Sequence, residues 1–163
     1  MVPKTPLTDI DRKRIREMSE TGQNCAPLLN QRAIRGERFE NCAINGILIS
    51  GENLGGTKFF RCRINMTANK TDFSGSVFRD CELRGEANYA NFDGCDFRNT
   101  DISLLKAKHA VMTRINPCGM KVSLFTPNLF RAKASRKMME KLIEIMFDMR
   151  DDGYEPPPHV LRG

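Results

Sequence analysis

Apolar residues recur along the middle of this chain at intervals of five. Leu29, Ile34, Phe39, Ile44, Ile49, Leu54, Phe59 and Ile64 form an unbroken series. The count slips by one residue to Ala68 and resumes at Phe73, Phe78 and Leu83. It slips again to Ala87 and resumes at Phe92, Phe97 and Ile102. An α-helix repeats every 3.6 residues and a strand every 2, so neither produces this spacing. A coil with four sides of five residues does. Laid out that way, the series falls into four columns. They are Leu29–Ile49–Ala68–Ala87, Ile34–Leu54–Phe73–Phe92, Phe39–Phe59–Phe78–Phe97 and Ile44–Ile64–Leu83–Ile102. The third column is all phenylalanine and the fourth all aliphatic, as expected of side chains stacked along a narrow core.

Other positions keep the same phase. Gly36, Gly56, Gly75 and Gly94 each follow the second column by two residues, where a tight corner of positive φ is expected. Cys42, Cys62, Cys81 and Thr100 each precede the fourth column by two, and Cys95 precedes Phe97 in the same way. They are expected to be compact inward fillers. The competing reading, a metal ladder or disulfide set, needs spacings such as Cys-x-x-Cys, which are absent. Asn53, Asp72 and Asn91 line up just before the second column and suit turns.

Units such as Ala90-Asn91-Phe92-Asp93-Gly94, Thr71-Asp72-Phe73-Ser74-Gly75 and Cys95-Asp96-Phe97-Arg98-Asn99 resemble the pentapeptide-repeat proteins, whose consensus is roughly Ala-Asp/Asn-Leu/Phe-X-X. The resemblance implies a right-handed quadrilateral β-solenoid of about four coils. It also implies a non-enzymatic, protein-binding role, since the family shares a scaffold and not a chemistry. Members that act on DNA gyrase present an acidic rod imitating duplex DNA. The implied function is therefore an inhibitor or protector acting on a DNA-handling complex, such as a topoisomerase or a phage-targeted host defence complex. The alternatives are a secreted effector or scaffold docking host proteins or membrane, and direct nucleic-acid binding.

Flanking the repeats, residues 1–28 read as an N-terminal cap. Thr8 is the expected N-cap of a short helix, Asp9 and Asp11 suit its positive end, and Gly22 stops it. Repeats are expected over 29–112 and a connecting loop, marked by Pro117, Gly119 and Pro127, over 113–127. A helix and tail follow over 128–163. Met138, Met139, Leu142, Ile145, Met146 and Met149 share one face of that helix. That face either caps the last coil or forms a homodimer interface; by analogy, some family members dimerise through C-terminal helices.

Charge changes the functional picture. The chain carries 26 basic and 20 acidic residues, with 13 basic against 10 acidic over 30–115. A mildly basic rod is the wrong sign for a duplex mimic along its whole length. Arg61, Arg63, Arg79, Arg84 and Arg98 cluster on the outward positions of the third and fourth sides, with Phe60 among them. They form the candidate binding patch, or else an ordinary mixed surface with Asp80, Glu82, Asp96 and Asp101. The only histidines are His109 and His159, and no phosphate loop, nucleophile elbow or zinc motif occurs. No catalytic residue, metal or cofactor is expected. Neither a signal peptide nor an 18-residue apolar run is present, so a cytoplasmic protein with a protein partner is expected, and nucleic acid is the alternative partner.

Overall fold

A computed structural model describes residues 3–122, 133–134, 140 and 143–144. The candidate dimer face of Met138, Met139, Leu142, Ile145, Met146 and Met149 and the tail over 154–163 lie outside the described residues.

The described chain begins with strand β1 (Thr5–Pro6), helix α1 (Asp9–Thr21), the single turn α2 (Ala26–Leu29) and β2 (Arg32–Ala33). The coil proper carries β3 (Arg38–Glu40), β4 (Ala43–Leu48), β5 (Lys58–Phe60), β6 (Arg63–Thr67), β7 (Val77–Arg79), β8 (Glu82–Glu86) and β9 (Asp101–Lys106). All pairings are parallel. They run β1-β2 on side two, β3-β5-β7 on side three and β4-β6-β8-β9 on side four. Phe39, Phe59 and Phe78 are partners in one register, and Ile44, Ile64 and Leu83 in another. The fold is a four-sided β-solenoid of pentapeptide type, with four full coils and the start of a fifth.

Every residue of the five-count is buried. In the third column, neighbouring rings stack with centroids 5.2–5.6 Å apart. Phe73 and Phe92 stack at 5.1 Å in the second column and meet Phe78 nearly edge-on. The core is thus two ring stacks set against each other, filling the interior from wall to wall.

Small residues two places before each column follow from the same geometry. Thr71 Oγ1 donates to Ile49 O at 2.7 Å, Ser76 Oγ to Leu54 O at 2.9 Å and Cys95 Sγ to Phe73 O at 3.0 Å. Each reaches the main chain of the previous coil. Cys42, Cys62, Cys81 and Thr100 occupy this slot on side four, and Cys25 extends the thiol file by one coil. These thiols donate to main-chain carbonyls, Cys42 to Glu40 O at 3.3 Å, Cys62 to Phe60 O at 3.4 Å and Cys81 to Phe59 O at 3.4 Å. All the described cysteines are free, and only Cys118 is exposed. The neighbouring thiols of the file and then burial push Cys42 and Cys81 up, while burial pushes Cys95 up to about 12. These are packed, neutral side chains.

The corners are built two residues after a column. Gly36, Gly56, Gly75 and Gly94 sit there with φ of 69–76°. Glycine is not obligatory, however: Asn41, Arg61, Asp80 and Asn99 turn the third corner at φ of 53–57°. Asx turns hold the approaches, as where Asp72 Oδ1 accepts from Ser74 N at 2.9 Å and Asn91 Oδ1 from Asp93 N at 3.0 Å.

Two expectations change. First, the one-residue slips are changes of period. After Ile64 the chain runs extended through β6, so Ile64, Met66 and Ala68 point inward by strand alternation. Where this side has its fifth residue, β4 and β9 accommodate it as register shifts. Ile47, Met66 and Leu105 therefore join the core. Second, residues 113–122 are not a connecting loop. Asn116 pairs with Asp96 and Lys121 with Asp101, while Ile115, Pro117, Met120 and Val122 are buried. Pro117 takes the third-column place. Residues of that column donate to the following coil, as Phe78 N does to Asp96 O and Phe97 N to Asn116 O. The N–H that Pro117 lacks is therefore not needed by coil four. Gly119, at φ 70°, is simply the next corner.

Candidate functional site

Side three presents its outward residues on both flanks of the Phe column. Arg38, Lys58, Val77 and Asp96 precede the rings, and Glu40, Phe60, Arg79 and Arg98 follow them. The backing is a parallel ladder in which the outward residues of coils two to four bond to the preceding coil, as where Asp96 N donates to Ser76 O and Arg79 O accepts from Arg61 N, both at 3.0 Å.

Phe60 is half-buried although it points away from the core. Arg38 lies over its ring at 4.2 Å from guanidinium carbon to centroid, and Arg79 lies at 5.7 Å. An aromatic face between two guanidinium groups gains about 0.5–2 kcal/mol per cation–π contact, depending on how far it is desolvated. Arg79 Nη2 bonds Asp96 at 2.8 Å and Arg98 Nη2 bonds the same carboxyl oxygen at 2.7 Å. Burial pushes the Asp96 carboxyl up, and Arg79 pulls it back. Nε of Arg79 is buried with no hydrogen-bond partner among the described residues.

The predicted patch therefore divides. Phe60, Arg79 and Arg98 share one outward column. Arg61 stands at the corner at φ 53°, its Nε on Asn41 Oδ1 at 2.9 Å. Arg63 and Arg84 lie around that corner on side four, in β6 and β8. Arg84 Nε bonds Glu82 at 2.6 Å, and Arg63 has no ion pair among the described residues. Arg38 makes the nearest contact with Phe60 and was not among the expected site residues. Reading the outward position before each Phe, as well as the one after it, would have found it.

Chemically, side three offers planar cations and one aromatic face, arranged for carboxylates and for ring or methyl contacts. Five basic residues (Arg38, Lys58, Arg61, Arg79, Arg98) face three acidic ones (Glu40, Asp80, Asp96). Among the described residues no cluster of three or more His, Cys, Asp or Glu is placed to hold a metal ion. His109 lies at a different corner, stacked on Tyr89 at 4.6 Å between ring centroids. No described helix is long and apolar enough to cross a membrane.

No family model matches the sequence, and no curated protein matches it. Among solved structures, the chain is similar to the pentapeptide repeat protein Rfr23 from the cyanobacterium Cyanothece 51142. The identity is 12%, covering 77% of this chain and 96% of that one, with a TM-score of 0.29. It is also similar to QnrB1, a plasmid-mediated fluoroquinolone resistance protein. A trypsin-treated form gives 14% identity over 70% of this chain and 89% of that one, TM-score 0.23. The full-length form gives 16% over 69% and 91%, TM-score 0.20. With scores this low, the pentapeptide type of the fold stands on the coil's own register.

Proposed function

We propose that this protein is a non-enzymatic binding rod whose third side docks an acidic surface of a partner protein. One observation carries the reading: Phe60 is held outward between Arg38 and Arg79 on a sheet backed by stacked rings. Aromatic and arginine residues fixed in this way are the types that dominate protein–protein hot spots. A protein partner fits better than nucleic acid because carboxylates already lie within the patch. Asp96 holds Arg79 and Arg98, and Glu40 holds Arg38 at 2.5 Å. Nucleic-acid affinity depends on unneutralised cations that displace counterions, whereas a protein carboxylate can exchange with Asp96 or Glu40 one for one. The narrower reading, an inhibitor or protector of a DNA-handling complex, rests on the repeat resemblance. Side three has the opposite sign from a duplex mimic, so mimicry is not part of it.

Affinity capture from a bacterial lysate, with and without nuclease, tests the proposal when the parent is compared with a Phe60→Ala, Arg79→Ala double variant. Retention of protein after nuclease, lost in the double variant, is the expected result. Hot-spot truncation costs about 2 kcal/mol or more, roughly 30-fold in affinity. Capture abolished by nuclease, or unchanged in the double variant, overturns the proposal. Loss of supercoiling activity at near-stoichiometric protein tests the narrower reading.

A further inference from the structure

The first coil exposes an edge on each of its four sides, and three of these are closed. On side two, β1 pairs with β2 one level above the coil. On side one, the α2 turn leads the chain in. On side four, Asn24 bridges to Ala43 and Cys25 N donates to Ala43 O at 2.9 Å. Two side-chain amides complete that edge as a strand would. Asn24 bonds the main chain of Asn45 as donor and acceptor, both at 2.8 Å, and Asn30 does the same for Gly46 O and Leu48 N at 3.1 and 2.8 Å.

Side three is different. The sheet ends on β3. Glu37 O and Asn41 N turn toward coil two, bonding Lys58 N at 2.9 Å and Phe60 O at 3.0 Å. By strand alternation the main-chain groups of Arg38 and Glu40 turn the other way. Among the described residues they have no main-chain partner, and Glu40 O meets only the Cys42 thiol at 3.3 Å. The chain supplies β1 for side two and Asn24 for side four, but between them it forms α1 instead of a strand. A groove of about 440 Å³ is left between that helix and β3. Leu7, Ile15 and Phe39 give it an apolar lining, and Ser19 stands on its helical wall.

We propose that this groove docks an extended, uncharged segment of a partner protein, which adds to the free edge of β3 as the missing side of the cap coil. Strand addition satisfies the main-chain groups of Arg38 and Glu40, with pockets left for alternate side chains. The walls carry Arg12, Arg16 and Arg38 against Glu20, Glu37 and Glu40, and Arg12 is already bonded to Glu37 at 2.7 Å. Three charges of each sign give no net attraction for an acidic or a basic strand. A second copy of the solenoid cannot bring its edge here, because β1 and Asn24 stand one strand level above β3. The site shares Arg38 and Glu40 with the patch around Phe60 but uses their main-chain groups, and it needs neither the Phe60 nor the Arg79 side chain.

Amide hydrogen exchange on the full chain tests it, with the capped peptide acetyl-Ser-Val-Ala-Val-Ser-amide as the probe. The Arg38 and Glu40 amides are expected to exchange fast in the free protein and to slow at least about tenfold with peptide. A peptide N-methylated at the amides facing β3 is expected to have no effect. Ser19→Trp, which fills the groove, is expected to abolish the protection, while the Phe60→Ala, Arg79→Ala double variant keeps it. The proposal is overturned if these amides are already protected in dilute free protein, or if protection grows with protein concentration alone. It is also overturned if the N-methylated peptide acts like its parent, or if Asp- or Lys-flanked peptides protect better. The methylated control holds even if Ser19→Trp does not fold.

Discussion

Phe78→Ala is the substitution that most directly tests the core. Phe78 is fully buried and meets four other rings among the described residues. Phe59 and Phe97 stack on its two faces at 5.2 and 5.6 Å, and Phe73 and Phe92 approach from side two at 5.5 and 6.4 Å. Truncating a core Phe costs about 3–5 kcal/mol, and the value rises where the surroundings cannot collapse. Here they cannot: the β5 and β7 ladders fix Phe59 and Phe78 in register, and Phe73 and Phe92 are held in their own stack. A loss near 5 kcal/mol follows. Phe39, at the end of the column, meets one ring among the described residues, Phe59 at 5.3 Å. Phe39→Ala should cost less by at least about 1 kcal/mol, since each ring pair contributes roughly 0.5–1.5 kcal/mol beyond area burial. Equilibrium urea unfolding followed by circular dichroism reads both. With a slope of about 2 kcal/mol per molar, Phe78→Ala lowers the midpoint by roughly 2.5 M. A midpoint within 0.5 M of the parent, taken as about 1 kcal/mol at that slope, would refute the stacking argument. So would Phe39→Ala costing as much as Phe78→Ala.

Two further predictions concern the backbone and the cap. Gly36→Ala meets open space and bears only the strain of its positive φ, about 1–2 kcal/mol. Gly85→Ala would place a Cβ 2.1 Å from Met66 O at φ 96°, so it must lower the melting temperature more; equal melting temperatures would contradict the β6–β8 register. At the cap, the side-chain bond from Arg32 at 2.9 Å, aided by Thr8, holds the Asp11 carboxyl at about 2, below its ordinary 3.8. A depressed carboxyl stabilises the fold fully above its ordinary value and stops doing so as pH falls through about 2. Asp11→Asn should therefore be less stable at neutral pH and lose less between pH 4 and 2. Parallel stability–pH curves for parent and variant would count against the capping network.

The coil was legible because a solenoid repeats its environment. Each column sees one kind of neighbour, so Phe follows Phe down side three and the thiols follow one another down side four. Legibility failed where the chain changed period. From Ile64 to Ala68 a strand replaces the five-residue corner, and a count of five registers only a slip and passes over Met66; Ile47 and Leu105 belong to coils that keep the fifth residue, and only the register shifts of β4 and β9 turn them inward. Pro117 and Gly119 misled for a related reason. Both residues ordinarily mark loops, yet one stands where its missing N–H is not used by coil four and the other where every coil turns.

For the candidate site, residue type carried the signal and pairing did not. Phe60 was conspicuous as an outward aromatic, but its partner Arg38 lies one coil earlier, on the other flank of the column. Only the register β3-β5 brings the two together. The open edge of β3 is harder still, because an unpaired main-chain group leaves no mark on its own residue. Its trace lies in the neighbours: Asn24 and Asn30 are spent closing side four, and between Pro6 and Asn24 the chain offers a capped helix in place of a strand. A natural strand edge is usually shortened, charged or covered. β3 is short and charged, yet the helix beside it stops short of covering it. That combination gives the edge resistance to indiscriminate pairing while leaving room for one chosen strand.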